Sequence, residues 1–135
     1  TARADAIRHE EQLLMLLAGV LATGKRNQGE RPATVTAAKA MIDDDPTAAI
    51  TLADLAAEAG LSRFQLVRNF ASAVGLTPHA YIVQRRIDLA RRLIGGGMPL
   101  AEAAFTAGFA DQSHMTRVFV SKYGLSPGIY AEAKK

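Results

Sequence analysis

The chain has 135 residues, 49% of them hydrophobic and 21% charged, with a net charge of +3. This is ordinary globular composition and excludes disordered, collagenous and low-complexity classes. The absence of cysteine removes disulfide scaffolds, thiolate metal sites, iron–sulfur clusters and thiol nucleophiles, and it fits a cytoplasmic location.

The charge is uneven. Residues 1–50 carry 6 Lys and Arg against 7 Asp and Glu, whereas residues 51–135 carry 10 against 6. The basic excess therefore sits in the C-terminal part, where an anionic partner is expected. The longest apolar run, Leu13 to Ala22, has 10 residues, about half of a membrane span. It follows Glu10 and Glu11 rather than a basic flank, so it does not read as a signal peptide.

All the periodicity is helical, and an all-α fold is predicted. The first helix runs from about Asp5 to Leu21. Ile7, Leu14, Leu17 and Leu21 form one apolar stripe, and Leu13, Leu16 and Val20 another. That surface is too wide for a helix alone in water, so the helix should dock on the domain or self-associate through residues 5–22. Thr23 to Pro32 reads as a polar linker. Residues 1–31 are expected to be the end of, or the connection to, an upstream domain. Residues 32–135 form the main domain.

A short helix from Val35 to about Asp43 follows, with Val35, Ala38, Met41 and Ile42 inward. The run Asp43-Asp44-Asp45-Pro46 should end it, because acidic groups oppose the dipole at a helix C-terminus. Those carboxylates read as a solvated end rather than a metal site. Thr51 with Asp54 has capping-box spacing ahead of a helix from Leu52 to Ala59, which Gly60 stops. Ser62 caps a second helix, Arg63 to Val74, which Gly75 stops. Thr77-Pro78 opens a longer helix that runs to Ile94 and halts at Gly95-Gly96-Gly97.

The pattern then repeats. Leu52, Asp54, Ala56, Ala59 and Gly60 match Leu100, Glu102, Ala104, Ala107 and Gly108, 48 residues on. After one inserted residue, Leu66, Arg68, Phe70, Gly75, Leu76, Pro78 and Tyr81 match Met115, Arg117, Phe119, Gly124, Leu125, Pro127 and Tyr130, 49 residues on. Each copy, at about 48–76 and 98–131, is a short helix, a glycine turn and a capped second helix. That is the layout of a helix-turn-helix. Gly60 and Gly108 supply turn geometry that a Cβ resists.

Helical spacing assigns faces. Leu66 and Phe70 point inward in the first copy, and Met115 and Phe119 in the second, where Asp111 is the N-cap. Phe64, Val67 and Arg68, and Gln112, Ser113, Thr116 and Arg117, then point outward near the starts of their helices, where base edges are read. Arg can donate two hydrogen bonds to guanine, Gln can pair with adenine, and Phe, Val or Thr can touch a thymine methyl. Phe64 is open to a second reading, as a residue completing the core. Thr77-Pro78 and Ser126-Pro127 each open a helix whose free N–H groups suit phosphates. Arg85, Arg92 and Lys122 are the accompanying side chains.

The helix from Pro78 to Ile94 has two apolar stripes, Val83-Ile87-Ala90-Ile94 and Ile82-Leu89-Leu93. It can pack on both copies. Its 17 residues span about 25 Å, so a separation of one DNA turn, about 34 Å, is within reach of the two copies.

The run from Gly108 to Phe119, GFADQSHMTRVF, ending in Gly124-Leu125-Ser126-Pro127 and Tyr130, resembles the C-terminal signature of the AraC/XylS family of bacterial transcription regulators. The resemblance covers about residues 35–131. It implies two helix-turn-helix subdomains joined by a central helix, with recognition helices in adjacent major grooves of double-stranded DNA. It also implies transcription activation through recruitment of RNA polymerase. The family's base-contacting positions fall on Phe64, Val67, Arg68, Gln112, Ser113, Thr116 and Arg117. Two departures stand out: Met115 replaces an aromatic or Leu, and Ala131 stands where Arg is usual. Arg86 matches a basic position of the central helix, and a structural salt bridge is expected of it.

Catalysis is the competing class. His9, His79 and His114 are scattered, no phosphate-binding loop is present, and Gly95-Gly96-Gly97 follows a helix rather than a strand. No enzymatic activity, metal or cofactor is expected. A helical protein-interaction module without sequence-specific DNA binding is the other alternative. Salt-dependent binding to random duplex DNA separates it from the first reading.

Overall fold

A computed structural model of the chain describes residues 2–21 and 32–135, with the side chains of 7–16 and 35–135. Among the described residues the secondary structure is helical. The helices are α1 (Ala2–Leu21), α2 (Pro32–Asp44), α3 (Leu52–Ala59), α4 (Arg63–Val74), α5 (Pro78–Gly95), α6 (Leu100–Thr106), α7 (Gln112–Tyr123) and α8 (Pro127–Ala133). Helix α2 starts three residues ahead of the predicted Val35. The predicted linker lies outside the described residues except for Pro32. Among the described residues no helix is long and apolar enough to cross a membrane.

Local chemistry sets the helix ends. The Thr51 hydroxyl accepts from the Asp54 N–H while the Asp54 carboxylate accepts from the Thr51 N–H, both at 3.0 Å. Ser62 and Gln65 form the same reciprocal box on α4. Asp111 accepts from the His114 N–H at 2.7 Å and starts α7. Each such cap is worth about 1 kcal/mol. Helix α2 ends within the acidic run, and Asp43 accepts hydrogen bonds from the Tyr81 hydroxyl and from Lys39. One carboxylate of that run is thus a structural acceptor, beyond the solvated end that the sequence suggested.

The chain forms two compact units. The first comprises Ala2–Asp45 and Ala49–Ile82, and the second comprises Pro46–Ala48 and Val83–Lys135. In the first, α2 and α3 pack on α4. Its core holds Val35, Ala38, Ile42, Leu52, Leu55, Leu66 and Phe70, all nearly inaccessible to water. Full burial of such a side chain stabilises by about 1.5–3 kcal/mol. Phe70 meets the Tyr81 ring edge-on at 5.7 Å.

Helix α1 packs on α4. Its Ile7 is buried and Leu14 half-buried, whereas Leu13 and Leu16 stay 64% and 68% exposed. One predicted stripe therefore docks and the other faces water. Leu17, Val20 and Leu21 belong to those stripes too, but their side chains lie outside the described residues.

The second unit repeats the arrangement. Ile87, Ala90 and Ile94 of α5 join Ala103, Ala104, Phe109, Met115 and Phe119 in one core. Met115 is fully buried, so it fills the inward position expected of it. Phe119 meets Tyr130 at 5.6 Å, the counterpart of the Phe70–Tyr81 pair.

Arg86 has a structural role, as expected, and reaches backbone carbonyls. It is 8% exposed, and its guanidinium donates to three backbone carbonyls: Pro46 (2.7 Å), Gly108 (3.2 Å) and Ala48 (3.5 Å). Carbonyls that have left helical pairing need donors, and a five-donor fork serves several at once. Gly108, at φ +91°, lies so close that a Cβ there would meet Arg86 Nε at 3.0 Å. Gly60, at φ +69°, has open space around it. Both glycines provide the left-handed turn that the sequence required, but only Gly108 also makes room for a side chain.

Candidate nucleic-acid interface

Helices α4 and α7 each follow a glycine turn, and each presents its first two turns from a capped start. In α7, Met115 and Phe119 are buried, while Gln112, Ser113 and Arg117 are exposed and Thr116 is partly exposed. These are the four residues predicted to point outward. They offer an amide, two hydroxyls and a guanidinium from one helical face, a donor and acceptor set suited to base edges.

In α4 the outcome is mixed. Phe64 and Arg68 are partly exposed, with the Arg68 guanidinium 5.5 Å from the Phe64 ring centre. Stacking of this kind holds an arginine in a defined orientation. Val67, predicted to point outward, is fully buried. It lies one turn beyond Arg63 on the same side of α4, and Arg63 pairs with Glu10 of α1 at 2.9 Å. Helix α1 also packs on α4.

The predicted phosphate group divides in the same way. Arg92 is exposed near the end of α5. Arg85 lies 3.7 Å from Asp88, and Lys122 is ion-paired with the same carboxylate. The Tyr123 hydroxyl also donates to Asp88 at 2.7 Å. Burial pushes the Asp88 carboxyl up, but hydrogen bonds from Lys122 and Tyr123 and the charges of Lys122 and Arg85 outweigh it, holding the group below its ordinary value. Asp88 therefore fixes the last turn of α7 to α5. The Ser126 hydroxyl accepts from the Ile129 N–H and the Thr77 hydroxyl from the Ala80 N–H, so both residues cap the helices they precede.

Four participants were not singled out by the sequence: Arg63, Asp88, Glu10 and Glu11. The repeat offset contained a signal for Arg63, because 49 residues on stands Gln112. Glu11 is 4% exposed and accepts a hydrogen bond from the His79 N–H at the start of α5. Burial pushes its carboxyl above the usual range, while hydrogen bonds from His79 and Thr77 pull it back only in part.

Two capped helical pairs of this geometry define a helix-turn-helix protein. A family model described as a helix-turn-helix domain matches residues 55–133. The transcriptional activator NphR of a Rhodococcus species is 38% identical over 117 residues, covering 85% of this chain and 34% of that protein. A transcriptional regulator from Chromobacterium violaceum with an AraC-type DNA-binding domain superposes with a TM-score of 0.70 at 21% identity, covering 76% of this chain and 92% of that one. The DNA-binding domain of AdpA, a global transcriptional factor solved in complex with target DNA, gives 0.68 at 26% identity, covering 74% and 91%. The chain belongs to the helix-turn-helix family of AraC-type DNA-binding domains. It spans about a third of the length of the curated relatives it matches.

Proposed function

We propose that the chain is the DNA-binding region of a bacterial transcription regulator. It binds double-stranded DNA sequence-specifically, with α4 and α7 taking adjacent major grooves of one site. The observation that carries this reading is the exposed set Gln112, Ser113 and Arg117 on a capped recognition helix, in a fold shared with a domain crystallised on its target DNA. Arg117 and Arg68 read guanine, with Gln112, Ser113, Thr116 and Phe64 completing the contacts. Val67, fully buried, is left out of that set. Arg92 and the helix starts at Thr77 and Ser126 serve the phosphates, with Arg85 and Lys122 contributing less because Asp88 already holds them.

The relatives named as activators favour activation, which requires contact with RNA polymerase in the bacterial cytoplasm. Nothing in this reading uses catalysis or a cofactor, and self-association through residues 5–22 uses the exposed Leu13 and Leu16. The decisive test is selection of bound duplexes from a random library, followed by Arg117→Ala and Arg68→Ala. Each variant should keep its thermal midpoint and lose about 1–3 kcal/mol of discrimination in its own half of the site. Binding without sequence preference, or preference unchanged in both variants, would defeat the proposal. Arg92→Ala should lower the salt slope by about one, and Lys122→Ala by less.

A further inference from the structure

Two adjacent carboxylates of α1 sit on two cationic features of the first unit. Glu10 pairs with the Arg63 guanidinium at 2.9 Å, and Arg63 is the first residue of the recognition helix α4. Glu11, 4% exposed, accepts from the His79 backbone N–H and from the Thr77 hydroxyl at the start of the 18-residue α5. An N–H at a helix start and an arginine guanidinium are groups that a DNA backbone engages. The same helix α1 packs on α4.

We propose that α1 is a built-in competitor of DNA for the first unit. Its Glu10 and Glu11 carboxylates stand where two phosphates would bind, and the helix must leave α4 before that recognition helix can enter a groove. The inference rests on the DNA-binding reading given above. It is specific to the first unit, because the counterpart of Arg63 in α7 is the uncharged Gln112, which offers a carboxylate no ion pair.

The docking is built to be reversible. Helix α1 anchors through the buried Ile7, Glu11 and the half-buried Leu14, while Leu13, Met15 and Leu16 remain in water. Glu11 carries a desolvated charge, and the raised position of its carboxyl shows that its hydrogen bonds do not fully offset that cost. Release returns the carboxylate to water, and the apparent affinity for DNA scales with the fraction of molecules in which α1 is released.

The test uses the full chain and a duplex it selects. The double variant Glu10→Gln/Glu11→Gln should bind that duplex about tenfold more tightly than the parent, as a mostly docked competitor would require. The gain should persist when Arg117→Ala is added, since it belongs to the first unit. Hydrogen exchange provides a second measurement: adding duplex to the parent chain should speed exchange of the α1 amides, while the His79 amide, passed from Glu11 to a phosphate, stays protected. A double variant that is folded by its thermal midpoint and binds no tighter would overturn the proposal, as would α1 amides that stay protected in the complex. If neither parent nor variant shows salt-dependent binding to any duplex, the DNA-binding reading itself fails, a result distinct from the other two.

Discussion

The two helix-turn-helix units share an interior and differ on the outside. Phe70 with Tyr81 and Phe119 with Tyr130 are the same aromatic contact at nearly the same distance. Outward, Arg63, Phe64 and Arg68 stand opposite Gln112, Ser113 and Arg117, and only the arginine at the last position is kept, while the partly exposed Thr116 has the buried Val67 as its counterpart. The inside is constrained by close packing, where volume changes are felt at once. The outside is constrained only by what it touches. A comparison of the chain with itself therefore separates the frame from the reading residues. It also predicts that the two halves of a DNA site differ in sequence, so that the site for one chain is not a palindrome.

The largest expected effect tests the shared interior. Phe70→Ala and Phe119→Ala should each cost about 3–5 kcal/mol in denaturant unfolding. A loss below about 1 kcal/mol at either position would mean that the two aromatic pairs are not equivalent. Next come the turn glycines. Gly60→Ala meets a strained φ but open space, and should cost about 1 kcal/mol. Gly108→Ala adds a contact with Arg86 Nε at 3.0 Å and should cost about 2–3 kcal/mol. Equal losses would show that Arg86 moves aside freely.

An exchange of residues across the repeat sharpens the contrast further. Val67→Thr places a hydroxyl in a fully buried position and should cost about 1–3 kcal/mol. Thr116→Val, at a partly exposed position, should stay within about 0.5 kcal/mol. The smallest effect concerns Asp88, whose carboxyl is held below its ordinary value of 3.8. Its contribution is complete above that value and is lost as pH falls through the lower, folded-state value. Asp88→Asn should therefore lower the unfolding midpoint at pH 7 and narrow the gap between variant and parent as the solution is acidified below pH 3.8. A gap that stays constant with pH would remove the ion pairs with Lys122 and Arg85 from the explanation.

Much of the frame was legible because it is local. Thr51 with Asp54, Ser62, Asp111, Gly60 and Gly108 act within three or four residues of themselves, and each lies where its spacing placed it. The inward residues Leu66, Phe70, Met115 and Phe119 followed from helical period alone. Val67 did not: three helices pack on α4, so the buried arc of α4 is wider than the i, i+4 stripe of Leu66 and Phe70 that the period marks. Arg86 was correctly placed on an inward stripe, but the three carbonyls it reaches could not be foreseen, because every residue type carries one. The tie between Lys122 and Asp88 spans 34 residues. It was missed for the same reason: a carboxylate in one helix does not announce which cation it will meet.

The three carbonyl bonds of Arg86 have a consequence for the order in which the chain can be built. Residues 46–48 belong to the second unit although the first unit's chain surrounds them on both sides. The second unit is therefore discontinuous, and a fragment beginning at residue 49 would carry a buried guanidinium with two of its three acceptors missing. During synthesis, residues 46–48 leave the ribosome some forty residues before the arginine that fastens them. They must wait unfastened until α5 emerges. Cutting the chain between its two repeats should thus yield halves of unequal quality: an N-terminal piece with its core intact, and a C-terminal piece that folds well only when a peptide carrying residues 46–48 is supplied in trans.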